Sequence, residues 1–516
     1  MAAIPAGDRS WVVALCAALS LLVLVVAGLA FGWGVHPVIP IGIVVVALLL
    51  VASHRWLFEW QTLVSLIVLC ILFIPIRRYQ LPAALPVNLE PYRLIVGLVA
   101  LAWLASALVQ SDLRIRKTGF EGPLLAFALA VLLGILSNGG RIQGLDVNQF
   151  VLKKVTFFVS FAAVMYMVAS VVRTRKDIDW LVGLLVVGGA IVAALAIVES
   201  RTGFNIFDHL QRVIPVLHFD ASLVPKWTGE RGGRVRAYAS AQHAIALGAA
   251  LAMILPLAVY QGMRTRQGGW WIAAGLLVLG TMATVSRTAM LMLLAEAIVF
   301  VVLKPASMKR MWPLLLPLAV VAHIAAPGTI GAFKDAFFPK GGIVAQQSTG
   351  AGTYGSGRLA DLQPGIHEWK RTPILGQGFG TRVTDQADPL VNAPILDDEW
   401  LGTLLETGAA GFLALMWLFV RATRRLGRSA KRDDSPRGWL TAGLAASIVA
   451  FAIGMATYDA FSFIQVTFLL FILLGVAASE LMLEPSRELA VARSRPRPHG
   501  VPVRTVDPRR AAGATI

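Results

Sequence analysis

Apolar runs of about 20 residues recur along the chain, and short polar segments separate each run from the next. A helix of that length crosses the hydrocarbon core of a bilayer. The runs predict spans near 11–33, 37–53, 57–76, 92–110, 122–137, 151–172, 178–199, 239–260, 270–285, 288–303, 311–327, 399–420, 438–457 and 461–482. The spans 37–53 and 57–76 are almost continuous, and so are 270–285 and 288–303. We therefore expect about 12 to 14 transmembrane helices. The pattern predicts an all-α, polytopic integral membrane protein with two long loops, 200–238 and 328–398.

Lysines and arginines indicate which ends of the spans face the cytoplasm. Basic clusters at 114–117, 173–176, 264–266, 304–310 and 421–437 fall on one side when the spans are counted from a cytoplasmic N-terminus. Short basic loops favour the cytoplasmic side of a membrane. Both termini are therefore predicted to be cytoplasmic, and both long loops extracytoplasmic.

The spans divide the chain into six predicted segments. These are N-terminal transmembrane helices at 1–199, a first extracytoplasmic loop at 200–238, central transmembrane helices at 239–327, a large extracytoplasmic loop at 328–398, C-terminal transmembrane helices at 399–483 and a basic cytoplasmic tail at 484–516. The tail is rich in Arg, Pro and Ala, which predicts disorder. We interpret the first apolar run as a retained helix, because the next span begins at Pro37 and leaves little room for a cleaved signal peptide.

Composition supports the membrane assignment and excludes several classes of site. The chain is 57% hydrophobic and only 15% charged, with a mean hydropathy of +0.71, whereas soluble domains are roughly 25% charged. The net charge of +17 follows from the basic loops and does not require a nucleic-acid partner. Cys16 and Cys70 lie in apolar runs, which predicts neither a disulfide framework nor a metal site. An active site would therefore consist of loops and helix ends at the outer surface.

Three arginines precede the predicted span at 239–260. Arg231, Arg234 and Arg236 lie within six residues of one another, and Tyr238 and His243 follow them. Arginines at a helix N-terminus bind phosphate well, because guanidinium groups make bidentate contacts and the helix end adds positive charge. The alternative is a solvated cluster that contacts lipid headgroups. His243 is predicted to be packed and hydrogen-bonded, and it stays with Tyr238 among the candidate substrate-binding residues.

A second arginine lies between two spans that leave almost no loop. Arg287 stands between Ser286 and Thr288, at a predicted tight turn. An arginine at membrane depth needs an anionic partner. We predict that this partner is a substrate phosphate, and the alternative is an internal ion pair with Asp397, Asp398 or Glu406. Glu296 lies deeper in the membrane and is predicted to be outside the site.

The large loop carries further candidate substrate contacts. Helical potential at 358–371 is interrupted by Pro364-Gly365, and Pro373 prevents its continuation. The glycines at 376, 378 and 380 allow a backbone to lie close to a ligand. They do not sit between a strand and a helix, which argues against a nucleotide-binding fold. The candidate substrate-binding residues here are Arg358, Trp369, Gly376, Gly378, Gly380 and Arg382.

Three adjacent acids precede a long apolar helix. Asp397, Asp398 and Glu399 are candidate catalytic residues together with Arg287, because a carboxylate facing cations at a membrane surface is suited to act as a general base. Helix capping explains one acid well but three poorly. Successive helical positions point about 100° apart, so we expect only one acid to face the site. The residues Tyr458-Asp459 at the last outer hairpin are expected to lie close by.

In this order, the motifs resemble those of the O-antigen ligase/polymerase superfamily of bacterial membrane proteins. The resemblance covers roughly 236–475. It is carried by Arg236, by Ser286-Arg287-Thr288-Ala289, by Arg358…Trp369…Pro373-Ile374-Leu375-Gly376-x-Gly378, and by Trp400-Leu401…Leu404-x-Glu406-x-Gly408…Gly411. The family commonly has a His-Asn pair before the aromatic-Leu motif, where this chain has Asp397 and Asp398.

The resemblance implies a GT-C-like glycosyltransferase that uses neither a metal, a cofactor nor a nucleotide sugar. Its partners would be a polyprenyl-diphosphate-linked glycan donor, a glycan or glycolipid acceptor and membrane lipids, at the outer face of the bacterial cytoplasmic (inner) membrane. Arginines would hold the diphosphate, and a base would activate the acceptor hydroxyl. Trp400 and Glu406 join the substrate-binding candidates on the same ground.

Three alternative functions remain open at the level of sequence. A polysaccharide polymerase would use the same chemistry with a different acceptor. A transporter or flippase for an anionic or lipid-linked solute would place polar residues at the bilayer midplane and show internal repeats. The charges of this chain lie at helix ends and no repeat is visible, which favours the enzyme. The third alternative is a scaffold subunit of an envelope-synthesis complex.

Overall fold

The structure is a computed structural model that describes residues 59–82, 89–109, 116–221, 235–311, 361–384, 393–394 and 396–494. Several predictions lie outside these residues. They are the spans 11–33 and 37–53, most of the span 311–327, the tail from 495 onward, and the candidate site residues Arg231, Arg234 and Arg358.

The described residues form an almost entirely helical protein. The first helices are α1 (Trp60–Phe73), α2 (Pro91–Val109), α3 (Glu121–Ser137), α4 (Gly139–Gly144), α5 (Asn148–Val171) and α6 (Arg175–Thr202). After a 3-10 helix (Ile206–Arg212) come α7 (Ala244–Thr265), α8 (Gly268–Ala283), α9 (Arg287–Leu303), α10 (Pro305–Met311) and α11 (Leu362–Trp369). The last are α12 (Glu399–Arg432), α13 (Pro436–Gly454), a 3-10 helix (Ala460–Ser462) and α14 (Ile464–Ser494).

Two short strands, β1 (Tyr79–Gln80) and β2 (His218–Phe219), form the sheet of the described region. They pair antiparallel, with Tyr79 opposite Phe219 and Gln80 opposite His218. Six described helices are long and apolar enough to cross a membrane, namely α5, α6, α7, α12, α13 and α14 up to Leu483. The prediction of an all-α, polytopic membrane protein is confirmed.

Helices α7, α13 and α14 form the centre of the bundle. Of their most apolar stretches, 83%, 78% and 89% of the residues are buried within the protein. Helix α7 packs against α8 and α13, α9 and α12 also pack against α13, and α14 packs against α5. Small residues allow close approach, as at Gly443, where a Cβ would lie 3.0 Å from the carbonyl oxygen of Pro256. Helices α2 and α3 instead present exposed leucines, including Leu101 and Leu125, as expected of a surface in contact with lipid.

Polar contacts tie the helix ends together on both sides of the bundle. We call the side with the connections 74–82, 138–147, 203–221, 235–243, 284–286, 370–384 and 455–463 the site side. On the opposite side, the Asp179 carboxylate of α6 accepts from Arg437 of α13 at 2.8 Å and pairs with Arg264 of α7 at 3.1 Å. Lys304 donates there to the Asp433 carbonyl at 2.7 Å. The helix connections alternate between the two sides, in agreement with the predicted order of spans. Which side faces the cytoplasm stays a prediction.

Two local predictions differ from the structure. The predicted interruption at Pro364-Gly365 is wrong, because α11 runs through both residues. Pro364 lies in the first helical turn, where a missing N–H is tolerated, and Gly365 lies against the Leu401 side chain. At the other end of the chain, α14 continues to Ser494, so the first part of the predicted tail at 484–516 is helical. Its Glu, Leu, Ala and Arg residues are strong helix formers.

Candidate active site

The arginine turn lies between α8 and α9 on the site side. The turn is tight, with Val285 at a positive φ of 46°. The Ser286 hydroxyl caps α9 by accepting from the Ala289 N–H at 3.3 Å, so Arg287 occupies the first helical position. The Arg236 Nε donates to the Thr284 carbonyl at 3.3 Å. The structure thus holds Arg236 against the turn that carries Arg287, 51 positions further along the sequence.

The segment that follows Arg236 is held by a buried acid. The Glu199 carboxylate, near the end of α6, accepts from the N–H groups of Tyr238 at 3.2 Å and Ala239 at 2.8 Å. Ala239 has a positive φ of 41°, a conformation that needs such support. Asn205 donates to the Ala239 carbonyl at 3.0 Å. These contacts fix the direction in which the chain enters α7.

A buried arginine completes this support. Arg78 donates to the carbonyl groups of Ala239 at 2.5 Å and Ala241 at 2.9 Å, and it pairs with Asp208 at 2.5 Å. Tyr238 donates to the same Asp208 carboxylate at 3.0 Å. Burial, together with the negative charge of Asp208, raises the pKa of Tyr238 to about 12, so the phenol remains a hydrogen-bond donor. The sequence prediction missed Arg78, Glu199 and Asp208. Arg78 and Glu199 lie at ends of apolar runs, whereas Asp208 lies within the first long loop.

His243 caps the N-terminus of α7. Its Nδ1 accepts from the Ile245 N–H at 2.9 Å, and its ring stacks on Phe463 with centroids 5.7 Å apart. This is the packed, hydrogen-bonded arrangement that the sequence predicts. A direct substrate contact by His243 or Tyr238 stays a prediction.

The three adjacent acids at the beginning of α12 have different surroundings. Asp398 is the N-cap residue, and its side chain accepts from the Leu401 N–H at 3.1 Å. Glu399 is 3% exposed and accepts from the Phe461 N–H at 2.8 Å and the Thr403 hydroxyl at 3.2 Å. The Asp397 side chain is exposed. Capping therefore accounts for Asp398, whereas Glu399 and Asp397 require another explanation.

The connection at 455–463 links the acids to the arginine turn. The Glu399 N–H donates to the Met455 carbonyl at 2.8 Å. Two residues later, the Thr457 hydroxyl donates to the hydroxyl of Thr288, the residue after Arg287, at 2.9 Å. One short connection thus contacts the beginnings of both α9 and α12. The cations and the carboxylates belong to one region of the site side.

Helix α12 is broken at Gly408, and the glycine loop enters the break. Gly408 has φ 64° and ψ −167°. Above the break, the N–H groups of Gln377 and Gly378 donate to the carbonyls of Leu405 at 2.9 Å and Glu406 at 3.0 Å. Below it, the N–H groups of Ala409 and Ala410 donate to the carbonyls of Pro373 at 2.9 Å and Ile374 at 3.1 Å. The loop therefore replaces hydrogen bonds that the helix loses.

The three loop glycines lie against protein atoms. All have a positive φ, of 68° at Gly376, 102° at Gly378 and 83° at Gly380. A Cβ at Gly376 would lie 2.5 Å from the Glu406 carbonyl, and one at Gly380 would lie 2.9 Å from the Cα of Val151. This packing alone explains why glycine is required. Their role in binding substrate stays a prediction.

Several predicted substrate-binding side chains have partners within the protein. Glu406, 3% exposed, forms an ion pair with Lys154 of α5 at 2.6 Å rather than with Arg287. Arg382 pairs with Glu368 at 2.5 Å. Lys154 and Glu368 were not among the candidates, because no local pattern relates them to residues more than ten positions away. The two indole N–H groups donate to carbonyls, Trp369 to Pro373 at 3.0 Å and Trp400 to Ala452 at 2.8 Å.

The fold and the site define a class of protein: a multi-pass membrane protein with arginines and carboxylates at one end of an all-α bundle. In the part that the structure describes, no group of three or more His, Cys, Asp or Glu is arranged to hold a metal ion. Residues 272–416 match the family model described as O-antigen ligase. The match spans the arginine turn, the glycine loop and the beginning of α12, and it confirms the resemblance to the O-antigen ligase-related superfamily.

The matched domain supports a membrane protein of the glycan-transferring ligase or polymerase type. A search of curated proteins found no match to the chain.

Proposed function

We propose that this protein transfers a glycan from a polyprenyl-diphosphate-linked donor to an acceptor hydroxyl, at the outer face of the bacterial cytoplasmic membrane. One observation carries the proposal. The connection at 455–463 hydrogen-bonds to Thr288, next to Arg287, and to Glu399, at the start of α12. This contact supports the proposal, because it relates the beginnings of α9 and α12, which carry the proposed cation and carboxylate, within the domain that matches the O-antigen ligase model.

The proposed reaction divides the work between these two groups. The acceptor oxygen attacks the anomeric carbon of the donor glycan, and the bond between that carbon and the diphosphate oxygen breaks. Arg287 and Arg236 stabilise the negative charge that develops on the diphosphate, which is the kind of interaction that lowers a barrier most. A carboxylate near the beginning of α12 accepts the proton of the hydroxyl. The proposed reaction uses no metal, cofactor or nucleotide sugar.

Other predicted residues have supporting roles in the proposal. Arg231, Arg234 and Arg358 add positive charge for the diphosphate. Asp397, at the position of the family's usual histidine and exposed on the site side, is one candidate for the proton acceptor. The packed residues Trp369, Trp400 and Glu406 shape the site through the contacts described above.

The Arg287→Ala variant tests the proposal. In a strain whose only copy carries this change, lipid-linked glycan should accumulate, because removing one charged donor to the leaving group slows transfer by about 100-fold or more. Lipids are extracted and polyprenyl-diphosphate glycans are compared by mass spectrometry at matched protein levels. Arg424→Ala is the matched control, since Arg424 is an exposed arginine of α12 toward the opposite side, and it should leave the pool unchanged.

The accumulated species distinguishes the alternatives. Complete glycan chains on the lipid support a ligase, and single repeat units indicate a polymerase. An unchanged pool in the Arg287→Ala strain, together with a defect in solute uptake or export, would refute the glycosyltransferase and favour a transporter.

A further inference from the structure

Two carboxyl groups, one from a helix and one from a helix connection, meet on the site side. The Glu399 carboxyl is in hydrogen-bonding contact with the carboxyl of Asp459, which lies between α13 and α14. Glu399 is 3% exposed and is also held by the Phe461 N–H at 2.8 Å. Asp459 is only partly buried, and it accepts from the Ser462 hydroxyl at 2.5 Å. One member of the pair is therefore enclosed and the other is accessible.

A hydrogen bond between two carboxyl groups requires a proton, because two carboxylates in contact repel each other. Burial disfavours the charged form, so the proton belongs to the enclosed Glu399. Glu399 then donates the hydrogen bond that joins it to Asp459.

The neighbouring Tyr458 provides an independent observation. Its side chain is 1% exposed, and its hydroxyl makes no hydrogen bond to any residue that the structure describes. Burial raises the pKa of Tyr458, so the hydroxyl stays a donor close to both acids. A buried donor without a partner is rare in proteins, and a catalytic role is one explanation for it.

A cation lies near the pair. Lys154 of α5 interacts electrostatically with Glu399 and Asp459 as well as with its ion-pair partner Glu406. The titratable groups around the pair are thus Lys154, Glu406 and Tyr458. With one lysine among three carboxyl groups, the formal negative charges outnumber the positive ones, which favours a proton shared within the Glu399–Asp459 pair.

We propose that Asp459 is a further catalytic residue, which accepts the proton of the acceptor hydroxyl while Glu399 acts as a positioning residue. This inference rests on the proposed glycan transfer. The acceptor oxygen bonds to the anomeric carbon as the bond to the diphosphate oxygen breaks, and the electron pair leaves with the lipid diphosphate. The hydroxyl proton moves to an oxygen of Asp459 and then to water. The Tyr458 hydroxyl donates to an oxygen of the bound acceptor.

The test compares variants of the two acids in the full-length, detergent-purified protein. The donor is the lipid-linked glycan extracted from a strain that lacks the protein, and the acceptor is the glycan fraction of the same strain. Asp459→Asn should reduce turnover by about 100-fold or more, with donor binding retained. The turnover of Glu399→Gln should stay within about tenfold of that of wild type, because the amide donates to Asp459 as the protonated acid does. The turnover of Glu399→Ala should be lower than that of Glu399→Gln, because alanine cannot donate.

Two further variants sharpen the comparison. Tyr458→Phe should raise the acceptor KM by roughly 3- to 10-fold with little change in kcat, the effect of one lost hydrogen bond. Asp434→Asn is the control acid, since Asp434 is fully exposed on the opposite side, and its turnover should equal that of wild type.

Several outcomes would overturn the assignment. If Asp459→Asn keeps at least half of the wild-type turnover while Asp397→Asn loses it, Asp397 is the proton acceptor. If Glu399→Gln is inactive and Asp459→Asn is active, the roles of the pair are reversed. In both cases Arg287→Ala stays inactive, which leaves the proposed function intact. Retained turnover in Arg287→Ala would instead refute the proposed function itself.

Discussion

Replacing Gly408 by alanine should destabilise the bundle where the glycine loop enters α12. Gly408 has φ 64° and ψ −167°, a conformation accessible to glycine and strongly unfavourable for other residues. A Cβ there would overlap the Ile374 carbonyl group and lie 2.6 Å from the Gly376 nitrogen. Both contacts are with backbone atoms, which cannot rotate away. The loop at 373–378 must therefore move.

The magnitude follows from two contributions. Backbone strain at such a position costs about 1–3 kcal/mol. Moving the loop breaks some of the four backbone hydrogen bonds that join it to α12, each worth about 0.5–1.5 kcal/mol. With two of these bonds lost, we expect Gly408→Ala to reduce the free energy of unfolding by about 4 kcal/mol.

Thermal unfolding of the detergent-purified protein measures this effect. Gly402→Ala is the matched control, because Gly402 lies on the same helix with no neighbouring atom within 4 Å of a built Cβ. Alanine is favoured over glycine in a helix by about 1 kcal/mol, so this variant should unfold at or slightly above the wild-type temperature. Equal unfolding temperatures for Gly408→Ala and wild type would refute the role assigned to the break.

Two further predictions concern charges at the site. Lys154→Met should destabilise the protein by about 3 kcal/mol, because it leaves the Glu406 carboxylate buried without its cation. The double variant Lys154→Met, Glu406→Gln should recover most of the wild-type unfolding temperature. No recovery in the double variant would contradict the ion pair between Lys154 and Glu406. Asp398→Ala should cost about 1 kcal/mol through loss of the helix cap, and Asp398→Ser should recover it, since serine caps equally well; equal unfolding temperatures for the two variants would argue against capping.

Local pattern in the sequence is enough for several of the described helices. Apolar runs of the right length predict α6, α7 and α13 to within about five residues at each end, because a bilayer demands helices of about 20 residues. The arginine turn before α9 is visible as a polar tripeptide between two runs. Helix capping by Asp398 follows from its place before the first helical residue. Each of these features depends on neighbours in the chain.

The arrangement of the candidate site depends on packing between helices. Lys154 and Glu406 are separated by 252 positions, and Glu399 and Asp459 by 60, so no local pattern relates them. The glycine motif predicts a close backbone approach, but only the structure identifies the approaching backbone as the broken segment of α12. Sequence periodicity determines which face of a helix is apolar. Which side chains meet at the helix ends is decided by the way the bundle packs, because a pair of buried charges is stable only where both partners are brought together.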